Sequence, residues 1–131
     1  MSDTNWVVYN HNATKSLNFN SATGGFSVSG SIYCNGEITA FSDERLKTNI
    51  KTIDKALDKV TSLRGVYYDK DNKPSVGVIA QEVEKIMPEV VANSGEYKSV
   101  AYGNLVGLLI EAIKELKEEV ADLKGKINVT S

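Results

Sequence analysis

The sequence predicts an α+β chain: a small mixed domain of β-hairpins and short helices, a long C-terminal helix after it, and a β-prone segment before it. Three observations carry that expectation. Short β-branched and aromatic runs come in pairs around Gly-, Asn-, Asp- and Pro-containing turns, residues 52–63 bear a helical apolar stripe, and residues 102–127 repeat apolar side chains alternately four and three apart.

Charge sets the division of the chain. Of its 15 basic and 17 acidic residues only Asp3, Lys15 and Glu37 fall in residues 1–41, which places a boundary between Phe41 and Ser42. Residues 1–41 are rich in Ser, Asn, Thr and Gly, with alternating apolar and polar residues at 6–9 and 26–29. Strands this short and polar do not build a core alone. Residues 42–131 then form the second part, with an α+β region at 43–103 and a helix at 104–127.

Within 52–63, Ile53, Ala56, Leu57, Val60 and Leu63 share one helical face, with Thr52 as the expected N-cap and Gly65 as the stop. The mixed charges of Lys51, Asp54, Lys55, Asp58 and Lys59 on the other face read as a solvated surface. Residues 65–68 and 75–79 predict a hairpin around the turn-forming 69–74, and residues 80–87 a short helix stopped by Pro88. A second strand pair, 90–91 with 97–100, flanks a turn at 93–96.

The last helix carries a seam of Tyr102, Val106, Leu109, Ile113, Leu116, Val120, Leu123 and Ile127. It reads either as the inner face of a helix packed on its own domain or as an intermolecular coiled-coil seam. Its second half, narrow and flanked by Lys117, Glu119, Lys124 and Lys126, favours the intermolecular reading. β-branched residues at Val106, Ile113, Val120 and Ile127 alternating with leucine favour two strands, whereas the extra apolar residues Leu105, Ile110 and Ala112 broaden the arc toward three. About sixty residues between 43 and 103 make a marginal core, which association would strengthen.

Composition also argues against several functions. A net charge of −2 and a pI near 5.4 give no sequence-wide attraction to nucleic acid or anionic membrane. The longest apolar run, residues 105–110, is broken by Gly107 and far too short for a bilayer, so the chain reads as soluble without an export signal. Cys34 is a single cysteine and His11 a single histidine, so neither an internal disulfide nor a zinc site is expected. No phosphate loop, metal-ligand pair or other cofactor motif occurs.

One constellation could do chemistry. Ser42 and Lys47 sit at the composition boundary, and a lysine whose pKa is lowered by burial or a nearby cation can deprotonate a serine. Five residues span about 140° of an α-helix. The segment must therefore turn, or Lys47 must come from another subunit.

Residues 42–50 (SDERLKTNI), followed by 63–66 (LRGV), 77–83 (GVIAQEV), 88–91 (PEVV), 97–100 (YKSV) and 109–116 (LIEAIKEL), together resemble the intramolecular chaperone auto-processing domain, the peptidase S74 family, of bacteriophage tail fibres, tailspikes and endosialidases. The resemblance runs from Ser42 to about Lys124. It implies a homotrimer whose C-terminal helices bundle through Val106, Leu109, Ile113, Leu116, Val120 and Leu123. It also implies a folding client in the upstream fibre segment, residues 1–41, and release by a Ser-Lys dyad with Ser42 as nucleophile and Lys47 as general base. No cofactor, nucleic acid or membrane partner is implied. The fibre part would belong to the virion tail and the released chaperone to the host cytoplasm during assembly.

In such domains the cut lies between the serine and the following aspartate, here Ser42–Asp43. Attack of Ser42 on the Phe41 carbonyl would instead pass through a five-membered ring and cut at Phe41–Ser42, and attack in trans is a third route. Three other readings compete: a trimerisation module without chemistry; a receptor-binding tip with Trp6, Tyr9 and Tyr33 stacking on sugars; and a self-cleaving membrane-tethered transcription factor, which requires a membrane span and a DNA-binding motif that this sequence lacks.

Overall fold

The computed structural model describes residues 5–9, 16–22 and 24–129, and packing divides the chain into two units, Met1–Lys47 and Thr48–Ser131. His11 lies outside the described residues.

In the first unit β1 (Asn5–Tyr9), β2 (Ser16–Asn20) and β3 (Gly25–Val28) form an antiparallel meander in that order. β1 and β3 match the two runs read from the sequence. β2 was not expected, because Asn18 and Asn20 depress strand propensity, and the pairing on both sides supplies what propensity does not. Register sets Trp6, Phe19 and Phe26 in one cross-strand row, and Phe19 and Phe26 remain exposed.

The second unit is built around α1 (Ala56–Thr61) and α3 (Leu105–Val129), whose contact buries Ala56, Leu108 and Ala112 with Ile53, Leu57, Val60, Leu63 and Met87 packed around them. The expected stripe does face the core, yet the helix is shorter than 52–63 and Thr52 does not cap it. Lys55, in left-handed conformation at φ 48° and ψ 40°, precedes the first turn and supplies no side-chain cap. Glu115 of α3 accepts the N–H groups of Ala56 at 2.9 Å and Leu57 at 2.8 Å instead. A capping carboxylate thus comes from another helix, where a local reading cannot see it. Gly65 lies beyond the helix end, which Ser62 caps.

Between α1 and α3 lie the two expected hairpins and one short helix. β4 (Val66–Lys70) and β5 (Lys73–Gly77) are joined by Asp71 and Asn72, both at positive φ (53° and 59°), a two-residue turn of the kind that matches strand twist. The turn is tighter than 69–74, and Pro74 stands inside β5, tolerated in a two-stranded sheet with open edges. α2 (Ala80–Ile86) stops before Pro88 as expected; it buries Val83 and is tied by Glu82 to Arg64 and by Glu84 to Lys98. β6 (Val91–Ser94) and β7 (Tyr97–Val100) complete the second hairpin, with Gly95 at φ 67° in its turn.

α3 has two apolar faces rather than one broad one. Leu108 and Ala112 face α1 and are buried, while Val106, Leu109, Ile113, Leu116, Val120, Leu123 and Ile127 lie about 100° around the helix and are exposed. Ala112 therefore belongs to the core of the single chain and does not widen the exposed arc. Tyr102 also leaves the seam: it sits in a 3-10 turn, Tyr102–Asn104, and its hydroxyl accepts the Val78 N–H at 3.2 Å. Among the described residues only Ala56, Val83, Val90, Leu108 and Ala112 are buried.

Candidate active site

The Ser42–Lys47 segment is one turn of 3-10 helix, Glu44–Leu46, with flanks that fix its ends. Asp43 opens it: Oδ1 accepts the Arg45 N–H at 2.9 Å, satisfying a donor that a helix start leaves without a partner. The turn closes by donation from Leu46 N–H to the Asp43 carbonyl at 3.1 Å and from Lys47 N–H to the Glu44 carbonyl at 3.0 Å. Lys47 leaves it extended, at φ −121° and ψ 145°.

This path brings Lys47 back to Ser42. Its Nζ donates to Ser42 Oγ at 2.7 Å and to the Ser42 carbonyl oxygen at 2.9 Å. The turn required by the five-residue spacing is thus made within one chain, with no need of a second subunit to supply the amine. The carbonyl that Nζ touches is that of the Ser42–Asp43 bond.

A second interaction runs through the same turn. Arg45 donates from Nε to Asp43 Oδ1 at 2.9 Å and from Nη2 to Asp43 Oδ2 at 2.6 Å, a bidentate fork. The guanidinium, followed by the Arg45 backbone N–H, holds the Asp43 carboxyl below its ordinary value, and the carboxylate in turn raises the Arg45 guanidinium. The sequence reading missed this pair, although an acid two residues before an arginine at a turn was its signal. Phe41, Asp43, Arg45 and Leu46 line a depression of about 400 Å³. Phe41 is 96 % exposed and Leu46 71 %, so two large apolar side chains flank the dyad in open solvent.

Other candidates lie elsewhere. Tyr33 and Cys34 are exposed, and of Trp6 and Tyr9 only the strand backbone is described. Among the described residues no three of His, Cys, Asp and Glu cluster as metal ligands, and no helix is long and apolar enough to cross a membrane.

An α+β domain with a long helix of open apolar seam, headed in sequence by a Ser-Lys pair in hydrogen-bond contact, defines the class of protein. Residues 42–92 match the sequence model of a peptidase family described as "Chaperone of endosialidase", and the match opens on Ser42 itself. The chain is 37 % identical over 98 residues to the long tail fiber protein Gp37 of Enterobacteria phage K3, which covers 66 % of this chain and 8 % of that protein. It is 38 % identical over 96 residues to Gp37 of Enterobacteria phage M1, covering 63 % of this chain and 38 % of that one. A likeness of 30 % over 115 residues extends to myelin regulatory factor homolog 1 of Caenorhabditis elegans, covering 77 % of this chain and 12 % of that protein. The chain therefore spans a minor part of the curated relatives that it matches. Residues 42–92 belong to the peptidase S74 family of chaperone domains.

Proposed function

We propose that residues 42–131 are an intramolecular chaperone for a phage tail fibre: they draw three copies of the upstream segment into register and are then severed from it by Ser42 with Lys47 as base. The observation that carries the reading is the 2.7 Å contact of Lys47 Nζ with Ser42 Oγ at the first residue of the family match. Once Nζ has lost a proton the hydrogen bond reverses, and Oγ–H can donate its proton as the oxygen attacks.

Three copies suit the exposed surfaces. Among the described residues the α3 seam, Phe19 and Phe26 leave apolar side chains in water, surface that association of copies would cover. Helices form fast and locally, while intertwined β-structure makes its contacts late and between chains, so a helix bundle that aligns the copies removes much of the entropic obstacle. Assembly would also surround Phe41 and Leu46, which stand exposed in the single chain, and exclude water from the dyad. Cleavage afterwards leaves the fibre kinetically trapped.

Two bonds are within reach of this chemistry. Attack on the Phe41 carbonyl closes a five-membered ring, expels the Ser42 nitrogen and leaves an ester on Ser42 Oγ that water hydrolyses. Attack by a neighbouring copy's hydroxyl on the Ser42 carbonyl expels the Asp43 nitrogen, again through an ester. Denaturing electrophoresis tests the function and sequencing identifies the bond: two bands that merge on Ser42→Ala, with a new N-terminus at Ser42 or Asp43, are expected. A single band in wild type would leave a trimerisation module without chemistry.

A further inference from the structure

We propose that Arg45 is a positioning residue for self-cleavage: by engaging the Asp43 carboxylate on both oxygens it keeps that anion away from Lys47, whose amine is thereby left to Ser42. The inference rests on the Ser-Lys reading above and deepens it.

Asp43 and Lys47 bracket a single 3-10 turn, four residues apart, and Asp43 directly follows the serine. An unengaged carboxylate there would stand one turn before Lys47 and beside Ser42, able to compete with the serine for the Lys47 side chain. Pairing with it would harm the dyad twice. It would draw Nζ off Ser42 Oγ, and it would take from the Ser42 carbonyl the second bond that holds the amine over the serine. The structure shows the alternative arrangement. Both Asp43 oxygens accept from Arg45, Oδ1 also accepts the Arg45 backbone N–H, and Lys47 Nζ gives its bonds to Ser42 Oγ and the Ser42 carbonyl. A planar guanidinium does this better than a second lysine, since it fills both oxygens in one fixed geometry.

This division of labour makes a prediction about sign that a merely structural role does not. Removing Arg45 frees the carboxylate to capture Lys47, so Arg45→Met should slow cleavage. Removing the charge as well should restore it, because Asp43→Asn keeps an oxygen for the Arg45-position N–H and abolishes the competing anion. The harmful change is thus relieved by a second change at its partner, a coupling that two independent losses would not produce.

The test uses the full chain, with the first-order rate of fragment appearance followed after refolding and native mass recorded for each variant. Wild type is cut and Ser42→Ala is not; Arg45→Met slows by about tenfold or more, and Asp43→Asn/Arg45→Met recovers at least about threefold of that loss. Arg45→Met cleaving at the wild-type rate, or a double variant no faster than Arg45→Met at unchanged native mass, overturns the inference while the dyad stands. A wild-type trimer that stays uncut overturns the dyad, and this inference with it. Should Arg45→Met change the native mass, Arg45→Lys carries the test, since it keeps a cation on the carboxylate: cleavage within about threefold of wild type supports the inference, and loss as deep as in Ser42→Ala contradicts it.

Discussion

The two faces of α3 can be separated by one substitution on each. Ile113 is 66 % exposed in the single chain, so two thirds of its surface is available for burial between subunits. Ile113→Ala deletes three carbons at about 0.8 kcal/mol each; scaled by that fraction the loss is about 1.6 kcal/mol per subunit and roughly 5 kcal/mol per trimer. A loss of that size lowers the association constant by more than three orders of magnitude, and the midpoint concentration of a monomer–trimer equilibrium, which varies as its square root, rises roughly fifty-fold. Leu108 is 1 % exposed and packs on α1, so Leu108→Ala removes about 3 kcal/mol inside each protomer. Sedimentation equilibrium over a wide concentration range, paired with urea unfolding at concentrations where association is saturated, reads the two effects. Ile113→Ala should move the association midpoint, and Leu108→Ala the unfolding midpoint at high concentration. An Ile113→Ala midpoint within about threefold of wild type would refute the assignment of the exposed seam to subunit contact.

The α1 cap should be sensitive to acid. The Leu57 N–H and then the Ala56 N–H hold Glu115 below the ordinary carboxylate value of 4.5, so its stabilisation is complete above that value and is lost as pH falls through the lowered folded value. Glu115→Ala should lower unfolding stability at neutral pH and flatten the acid limb of a pH–melting curve; an unchanged limb would contradict the cap. At Gly77 an added Cβ would meet the Tyr102 hydroxyl, which accepts the Val78 N–H. Gly77→Ala should push that ring aside at a cost of about 1 kcal/mol, similar to Tyr102→Phe, with the double variant little worse than either single one in urea unfolding.

What could be read from the sequence was whatever local chemistry decides. The turn-forming run 69–74, the stop at Pro88, the glycine at 95 and the 3.5-residue apolar repeat each specify their own surroundings, and the hairpins, α2 and α3 follow them, with the first turn tightened to 71–72. Features that rest on contacts distant in sequence were not legible. Thr52 looks like a cap, but the carboxylate that caps α1 comes from Glu115, and the one hint of it is a charge in line with Leu108 and Ala112 on the inner face of α3. Tyr102 fits the heptad by spacing and leaves it because Val78 supplies a hydrogen-bond donor. At the site, the Ser42 and Lys47 spacing demanded a turn, and one 3-10 turn meets it; the Asp43–Arg45 fork that holds the turn was not legible, because two charges two residues apart meet only once the turn is made.

Intact mass under denaturing conditions, taken beside native mass for wild type and Lys47→Met, bears most directly on the central claim. The account predicts three copies in each native assembly, wild-type chains divided at Phe41–Ser42 or Ser42–Asp43, and Lys47→Met chains whole. Wild-type assemblies of three uncut chains, or Lys47→Met chains divided as readily as wild type, would contradict it.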